Sequence, residues 1–290
     1  MDKMVPLITV VMPVYNAGRH LRAAVLSIVR QTYTSWELLI IDDGSTDDAF
    51  TSISDIHDAR IRVLRDGENR GLACRLNEGI DMAKGDYFAR MDQDDIAYPE
   101  RLSKQFETLR KKSDLDLLAT RCITISQENE PVGLLPYAAT HEEICAHPWR
   151  GFYMPHPTWM GKIEWFRKYR YTIPEPHLCE DQDLLTRSYE NSCFSVVPEI
   201  LLAYRISRKK SLKKLFRTRY SLLRMQMRNY IQSHHPGFFF LALALFIVRI
   251  MLDILNSALP ENYQKGRHRS QYIDGTDLKK WQQVWDNLGD

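Results

Sequence analysis

The sequence predicts an α/β protein with a mixed central sheet, followed by C-terminal helices that associate with a membrane. Three observations support this prediction. Short apolar, β-branched runs alternate with segments of helical periodicity between residues 7 and 112. Polar clusters follow three of those runs, and the chain ends with a basic segment and then a long apolar one.

The composition is that of an ordinary globular protein. The chain has 290 residues, of which 44% are hydrophobic and 26% charged, and its net charge is +2. Its five cysteines form no C-x-x-C pair, which disfavours a zinc site or a disulfide framework and fits a reducing compartment. The first apolar run, Leu7–Val14, is too short for a secretory signal, so we expect the catalytic part in the cytoplasm.

Strands and helices alternate in the first half of the chain. Strands are predicted at Leu7–Met12, Glu37–Ile41, Ile61–Leu64, Tyr87–Met91 and Leu115–Ile125, and helices over 19–31, at Leu72, Leu76, Ile80 and Ala83, and from Pro99 onwards. This order implies right-handed crossovers and largely parallel pairing.

The second half gives a weaker pattern. Residues 126–180 are rich in prolines and aromatic side chains, and we interpret them as the wall that binds a second substrate. Glu180–Asp183 place acids at the positive end of a short helix. Val196–Arg205 is predicted to be an edge strand with a closing segment.

The three polar clusters, at Pro13–Asn16, Asp42–Asp47 and Asp92–Asp95, all follow predicted strands. Ligands bind at the carboxyl ends of strands in such sheets. Carboxylates this close repel each other unless a cation holds them, and oxygen ligands suit a hard divalent ion that also carries phosphate. The clusters therefore predict a metal–diphosphate site, although Asp42–Ser45 alone would indicate only a turn, and Asp95 is expected to be structural.

A basic segment precedes the apolar one. Residues 205–228 contain ten Lys or Arg and no acid, which indicates an anionic partner, either lipid headgroups or phosphate. The uninterrupted apolar stretch Phe238–Val248 has eleven residues before Arg249 and Asp253 intrude. A bilayer crossing needs about 20 residues, so spanning is marginal.

Crossing would also place Lys265, Arg267, Arg269, Lys279 and Lys280 outside, against the positive-inside rule. A helix lying in the cytoplasmic interface satisfies both facts, and the alternative is an ordinary buried C-terminal helix. Trp281 and Trp285, four residues apart, predict a second interfacial helix.

Five motifs in one order resemble a known family. They are Pro-Val-Tyr-Asn at 13–16, Trp-Glu-Leu-Leu-Ile-Ile-Asp-Asp-Gly-Ser-Thr-Asp at 36–47, Asn-Arg-Gly-Leu at 69–72, Ala-Arg-Met-Asp-Gln-Asp-Asp at 89–95, and a closing set of His156-Pro157-Thr158, Glu180-Asp181 and Leu202-Ala203-Tyr204-Arg205. Between residue 7 and about residue 208 the chain resembles glycosyltransferase family 2, most closely the bacterial branch that builds exopolysaccharide, capsule or O-antigen.

The resemblance implies a GT-A fold, a nucleoside diphosphate sugar donor (UDP-sugar), a divalent ion (Mn²⁺ or Mg²⁺) and inversion at the anomeric carbon. It assigns Pro13, Tyr15 and Asp43 to the uracil and ribose, Asp92 to the ribose or sugar, Asp94 to the metal and Asp181 to the general base. Apart from the resemblance, Glu180 could bind the acceptor, and His156 could contact the acceptor or the donor. A carboxylate base fits the chemistry independently, because a sugar hydroxyl must lose its proton as it attacks.

Some of these assignments leave alternatives open. Asp183 competes with Asp181 for the base, and His156 could be a ligand contact or a packed side chain. Family members often carry a histidine after the Tyr-Arg pair, where this chain has Arg205-Ile206-Ser207-Arg208. Either the metal is held by Asp94, diphosphate and water, or basic side chains such as Arg205 take over the charge. The processive Gln-x-x-Arg-Trp signature is absent, which favours one sugar per encounter.

We therefore expect a GT-A domain over 1–208, with its nucleotide-sugar half at 1–112 and its acceptor half at 113–208, and a membrane-association region at 209–290. The expected acceptor is a polyprenyl-diphosphate-linked saccharide, and the expected location is the cytoplasmic face of the bacterial inner membrane. Nucleic acid is not an expected partner. The alternatives are an inactive nucleotide-sugar binder and a sugar nucleotidyltransferase, which would need a glycine-rich loop where residues 12–22 have only Gly18.

Overall fold

The computed structural model describes residues 5–174, 178–206, 212–232, 235–258 and 272–289. Within these ranges nine strands form one sheet, together with nine α-helices. The strands are β1 Ile8–Val14, β2 Trp36–Asp42, β3 Ile61–Arg65, β4 Tyr87–Arg90, β5 Ile96–Ala97, β6 Leu117–Ile125, β7 Pro131–Leu134, β8 Met160–Lys162 and β9 Phe194–Arg205. The helices are α1 Leu21–Val29, α2 Leu72–Met82, α3 Arg101–Lys111, α4 His141–Cys145, α5 Ile163–Lys168, α6 Glu180–Ser188, α7 Leu212–Gln232, α8 Pro236–Ala258 and α9 Gly275–Gly289.

The first four strands lie in the order β3-β2-β1-β4 and pair in parallel, as the alternating pattern predicts. Every residue of β1 and β2 is buried, because helices cover both faces of this half. Val10 and Met12 of β1 pack on the side of α1, whereas Val11 packs on the side of α2. The carboxyl ends of β1, β2 and β4 consequently meet at one edge of the sheet.

The second half makes the sheet mixed, as predicted. The three-residue strand β8 lies between β4 and β6 and is antiparallel to both. Gly161 at its centre passes so close to the main chain that a Cβ would overlap the carbonyl oxygen of Asp116. The prediction of an edge strand at Val196–Arg205 is wrong, because β9 lies between β6, which it joins in parallel, and the two-residue β5.

Helices α7 and α8 form an antiparallel hairpin. Tyr230 near the end of α7 meets Phe238 near the start of α8, and Phe216 near the start of α7 meets Phe246 further along α8. Of the helices that the structure describes, α8 alone is long and apolar enough to cross a membrane, judged by length and composition, and 11% of its apolar stretch Gly237–Leu255 is buried in the protein.

Helix α9 returns to the main body of the protein. Trp281 is 2% exposed and stacks on Tyr98, with ring centroids 6.4 Å apart, in the hydrophobic core that also contains α1. The prediction of a second interfacial helix at Trp281 and Trp285 is therefore wrong, because the tryptophan stripe packs on protein. Ser207 and Arg208, and the cations at 265, 267 and 269, lie outside the described residues.

Candidate active site

A cavity of about 1070 Å³ opens where the carboxyl ends of β1, β2 and β4 meet the first turn of α6. All eight residues that the sequence predicts for the site line this cavity: Pro13, Tyr15, Asp43, Asp92, Asp94, His156, Glu180 and Asp181. They come from five separate stretches of the chain. The fold therefore brings together residues that the motifs connect only by their order.

The loop after β1 is held against the carboxylate loop by an amide. The Gln93 side chain accepts from the Tyr15 backbone N–H at 2.6 Å and donates to its carbonyl oxygen at 3.0 Å. The same loop is tied to the loop after β2, since Asn16 Oδ1 accepts from the Thr46 N–H at 2.8 Å. These contacts leave the Tyr15 ring exposed at the rim of the cavity.

Asp43 serves first as an anchor for the loop that precedes α2. Its carboxylate accepts from the backbone N–H groups of Arg70, at 2.7 Å, and Gly71, at 3.1 Å, and from Arg75 Nε at 3.0 Å. The Arg75 guanidinium is buried and also pairs with Asp66 at 2.6 Å, and these partners raise its pKa. Asp43 is thus fixed in position at the cavity wall by bonds that its neighbouring loop supplies.

The carboxylates after β4 differ in their surroundings. Asp92 forms an ion pair of 2.5 Å with the buried guanidinium of Arg90, which also lines the cavity. Burial and the neighbouring Asp92 carboxylate raise the pKa of Asp94 to about 6. Asp94 therefore lies where a cation would relieve an electrostatic cost, whereas Asp92 already has one beside it.

Arg205 has a structural role, and its cation also opposes the rise in the Asp94 pKa that burial and Asp92 cause, so its share of the charge at the metal stays a prediction. Its backbone N–H donates to Asp95 Oδ1 at 2.8 Å, and its Nε donates to the Asp94 carbonyl oxygen at 2.7 Å. The rest of the guanidinium donates to the Ser126 carbonyl and the Asn129 side chain. Arg205 thus supports the carboxylate loop from behind, and Asp95 is buried there as expected.

His156 is a neutral, packed side chain at the floor of the cavity. Burial, together with the nearby Arg90 cation, lowers its pKa to about 3. Its Nε2 is 2.8 Å from the Tyr171 hydroxyl and its Nδ1 is 3.6 Å from Glu180, a contact that a neutral imidazole does not make into an ion pair. Of the two roles considered for His156, the structure thus supports that of a packed side chain.

Asp181 presents a carboxylate at the start of α6. Burial and the adjacent Glu180 raise its pKa, which makes it a stronger base than a solvent-exposed aspartate. Gln182 donates to Asp181 Oδ2 at 3.1 Å and to the Phe152 carbonyl at 3.2 Å. One amide therefore orients the carboxylate and also holds the aromatic wall beside it.

Asp183, the alternative base, does not line the cavity. Its side chain is fully buried and accepts from the Thr172 hydroxyl at 2.6 Å, Arg187 Nε at 2.8 Å and Arg228 Nη2 at 3.0 Å. These bonds tie α6 to α7. The geometry therefore favours Asp181 over Asp183 for chemistry in the cavity.

A divalent ion would have few protein ligands here. Among the residues that the structure describes, no group of three His, Cys, Asp or Glu side chains is placed to hold a metal. Asp94 nevertheless fits one, because it is a hard oxygen donor whose pKa is raised by burial and by Asp92, and a cation would offset that cost. The remaining ligands would have to come from a diphosphate and water.

Sequence reasoning missed several residues that line the cavity, chiefly Asn69, Arg90, Gln93, Tyr204, Lys214, Thr218 and Arg219. Arg90 and Gln93 stand inside the carboxylate motif and were available from the sequence as its polar members. Lys214 and Arg219 belong to the basic segment, which composition alone assigned to an anionic partner without placing it at the cavity.

The fold is of the GT-A class, and two solved structures illustrate the likeness. Staphylococcus aureus TarS 1–349, in complex with UDP, aligns with a TM-score of 0.64 at 16% identity, covering 89% of this chain and 76% of TarS. The mannosyltransferase PcManGT from Pyrobaculum calidifontis, in complex with GDP-Man and Mn²⁺, aligns with a TM-score of 0.61 at 14% identity. The alignment covers 99% of this chain and 88% of PcManGT.

The sequence profile named "Glycosyl transferase family 2" matches residues 9–179. The chain belongs to that family. Escherichia coli WfgD, named UDP-Glc:alpha-D-GlcNAc-diphosphoundecaprenol beta-1,3-glucosyltransferase, is 34% identical over 107 residues, which cover 37% of this chain and 42% of WfgD. Two other relatives are an uncharacterized glycosyltransferase of Haemophilus influenzae and the putative glycosyltransferase EpsE of Bacillus subtilis. The chain spans 66% and 45% of their respective lengths, which is less than two thirds of each.

Proposed function

We propose that this protein is an inverting, metal-dependent glycosyltransferase that moves a sugar from a UDP-sugar to a lipid-linked saccharide in cell-surface polysaccharide biosynthesis. One observation carries the proposal: the carboxylates of Asp92 and Asp94 at the end of β4 and that of Asp181 at the start of α6 open into one cavity. A donor held by Asp92 and Asp94 would therefore present its anomeric carbon to an acceptor held near Asp181.

In this proposal Asp181 takes the proton of the acceptor hydroxyl as its oxygen bonds to the anomeric carbon. The bond from that carbon to the donor phosphate breaks in the same displacement, and the nucleoside diphosphate leaves. One displacement inverts the configuration at the anomeric carbon. Because burial lowers the pKa of His156 to about 3 and raises that of Asp181, the imidazole is the weaker base and the proton stays on the carboxylate.

Pro13, Tyr15 and Asp43 would surround the nucleoside, and Asp94 would hold the metal. When bound, the ion offsets the negative charge that develops on the departing diphosphate. Asp94 and the phosphates of the donor would supply ligands together, so we expect weak metal binding without nucleotide. The UDP of the TarS complex and the Mn²⁺ of PcManGT support these assignments by analogy of fold.

The apolar face of α8 supports a position on the membrane. Its outward residues are Phe240, Leu241, Ile247, Val248, Met251, Leu252 and Leu255, all at least 45% exposed. The two charged interruptions turn inward: Asp253 pairs with Arg219 of α7, and Arg249 donates to the Arg150 carbonyl at 3.2 Å. An unbroken apolar stripe therefore faces away from the protein.

We propose that α8 lies in the plane of the cytoplasmic leaflet. Because α7 runs along α8, a spanning α8 would carry the exposed cations Lys213, Arg217 and Arg224 towards hydrocarbon. Each would cost about 2.5–3.5 kcal/mol at the bilayer centre. In the interfacial position the same cations meet anionic headgroups. The catalytic domain of this proposal is 1–208, and the membrane-association region begins at 209 but excludes α9.

The proposal is tested by incubating the purified protein with UDP-, GDP- and dTDP-sugars, with Mn²⁺ or with EDTA, and measuring nucleotide release. We expect metal-dependent release from a UDP-sugar, its loss in Asp94→Ala and Asp181→Asn, and retained nucleotide binding in Asp181→Asn. Binding of UDP without release from any sugar would instead support the inactive binder, and release unaffected by Asp94→Ala would refute the assigned metal site.

A further inference from the structure

The cavity has a second charged wall besides the one that carries the donor carboxylates. It is formed by α7, of which Lys214, Leu215, Thr218 and Arg219 line the cavity, and α7 contains no acidic residue. The composition of residues 205–228 indicates an anionic partner for these cations, and the fold places two of them, Lys214 and Arg219, at the site rather than only on the surface.

This wall, defined by Lys214 and Arg219, lies on the side of the proposed base. The Cys179 thiol donates to the Thr218 carbonyl oxygen at 3.8 Å, and Cys179 directly precedes the first turn of α6, which holds Glu180 and Asp181. The donor residues, by contrast, lie at the strand ends. A group bound by Lys214 and Arg219 would therefore belong to the molecule whose hydroxyl approaches Asp181.

Arg219 also contacts the membrane-facing helix. Its Nε and Nη2 pair with the two carboxylate oxygens of Asp253 in α8, and the same side chain lines the cavity. Asp253 is mostly buried. A two-bond pair of this kind fixes the plane of the guanidinium, so Asp253 orients Arg219 at the cavity wall.

We propose that Lys214 and Arg219 bind the diphosphate of a lipid-linked acceptor, and that Asp253 is a positioning residue for Arg219. This inference rests on the proposed function, and it assigns the specificity for an anionic acceptor to α7. A neutral saccharide offers these cations only uncharged oxygen acceptors, whereas a diphosphate offers anionic oxygens that match both the point charge of lysine and the fork of arginine. The lipid chain would leave along the apolar stripe of α8.

The donor also carries a diphosphate, so the test must separate the two sources. Geranyl diphosphate is a soluble prenyl diphosphate without a sugar, and its binding to the full chain is measured by calorimetry in the presence of saturating UDP and Mn²⁺. We expect binding that UDP does not displace, weakened about tenfold in Lys214→Gln and in Arg219→Gln, because each loses a charge-assisted hydrogen bond. Displacement by UDP would assign these cations to the donor and overturn the proposal.

Lys213→Gln is the matched control, because Lys213 is an exposed neighbour on the same helix that does not line the cavity. Equal weakening in this control would show a general field effect and overturn the inference. Geranyl monophosphate should bind more weakly than the diphosphate, and the difference should disappear in the Lys214→Gln/Arg219→Gln double variant.

The positioning role of Asp253 is tested by a double-mutant cycle. We expect Asp253→Asn to weaken geranyl diphosphate binding in the wild-type background and to have no further effect in the Arg219→Gln background, while Asp253→Glu restores part of the binding. Additive losses would show that Asp253 acts only through general stability and would refute its positioning role.

Failure of the inference is distinguishable from failure of the proposed function. If a UDP-sugar is turned over but geranyl diphosphate binds equally well to the wild type and to the Lys214→Gln and Arg219→Gln variants, the inference alone is wrong. If no nucleotide sugar is turned over while the binding still depends on both cations, the proposed function is wrong and the anion site stands.

Discussion

Two aspartates that are two residues apart in α6 should separate catalysis from stability when each is replaced by asparagine. In a helix of 3.6 residues per turn, such positions are about 200° apart and face opposite sides. Asp181 lines the cavity, whereas Asp183 is buried between α6 and α7. The exchanges Asp181→Asn and Asp183→Asn have the same chemistry, so each is the control for the other.

The magnitude for Asp183→Asn follows from its partners. Breaking a buried ion pair by removing one partner costs about 3–5 kcal/mol. The lower end applies here, because the paired side chains of Arg187 and Arg228 are 29% and 50% exposed and water can solvate them. With a shift of about 2–4 °C per kcal/mol for a large domain, the unfolding midpoint should fall by roughly 6–12 °C. Transfer measured well below that midpoint should persist.

For Asp181→Asn we expect the opposite pattern, in which stability is retained and transfer is lost. Burial raises the pKa of Asp181, so its charged form is disfavoured in the folded protein and a neutral amide should leave the unfolding midpoint unchanged or slightly higher. Loss of the base should lower the transfer rate by about 10²–10⁴-fold. Differential scanning fluorimetry and nucleotide release measure the two effects. Inactive Asp183→Asn with an unchanged midpoint, or active Asp181→Asn, would refute the reasoning.

Three further predictions follow from the contacts of single groups. Arg75→Met leaves buried Asp43 without its cation, and should lower the free energy of unfolding in urea by about 3 kcal/mol and weaken UDP binding; a loss under 1 kcal/mol would contradict it. The pKa of His156 is lowered to about 3, so below pH 6.5 the unfolded chain binds a proton that the folded protein does not, and stability falls as the pH drops. Between pH 6.5 and 5 this should cost about 2 kcal/mol, a loss that His156→Asn should lack in pH-dependent urea unfolding. The double variant Ile247→Ser/Met251→Ser, on the outer face of α8, should lose binding to vesicles containing anionic lipid at an unchanged unfolding midpoint, and unchanged co-sedimentation would argue against α8 as the membrane contact.

The strands and helices of the first half were predictable because each has an apolar pattern of its own. All four parallel strands lie within two residues of their predicted bounds. The strand β8 was not predictable, since Met160–Lys162 is too short to show a period, and its place between β4 and β6 depends on pairing with strands distant in the chain. The assignment of β9 to an edge was wrong for the same reason, because its pairing with β5 and β6 also depends on strands distant in the chain.

The members of the site were predictable from motif order, but the division of work among them was not. Sequence spacing places Asp92, Asp94 and Asp95 within four residues and says nothing of what lies behind them. In the structure Arg90 pairs with Asp92, and the Arg205 N–H binds Asp95. Each of these partners depends on tertiary contacts, so only the folded chain distinguishes the three carboxylates.

The C-terminal helices show why an amphipathic pattern does not identify the surface it packs on. The tryptophan stripe of α9 and the apolar stripe of α8 are both consistent with a membrane, yet Trp281 is buried on Tyr98 and Phe240 is exposed. The charged residues decide the matter for α8. Asp253 interrupts the apolar stretch in the sequence, where it argued against a membrane span, but in the structure it pairs with Arg219 and fixes which face of α8 turns inward. The ion pair between Asp253 and Arg219 turns the apolar stripe of α8 outward, and it also holds the Arg219 cation at the wall of the cavity. One interaction therefore sets both the proposed contact of α8 with lipid and the proposed contact of Arg219 with the diphosphate.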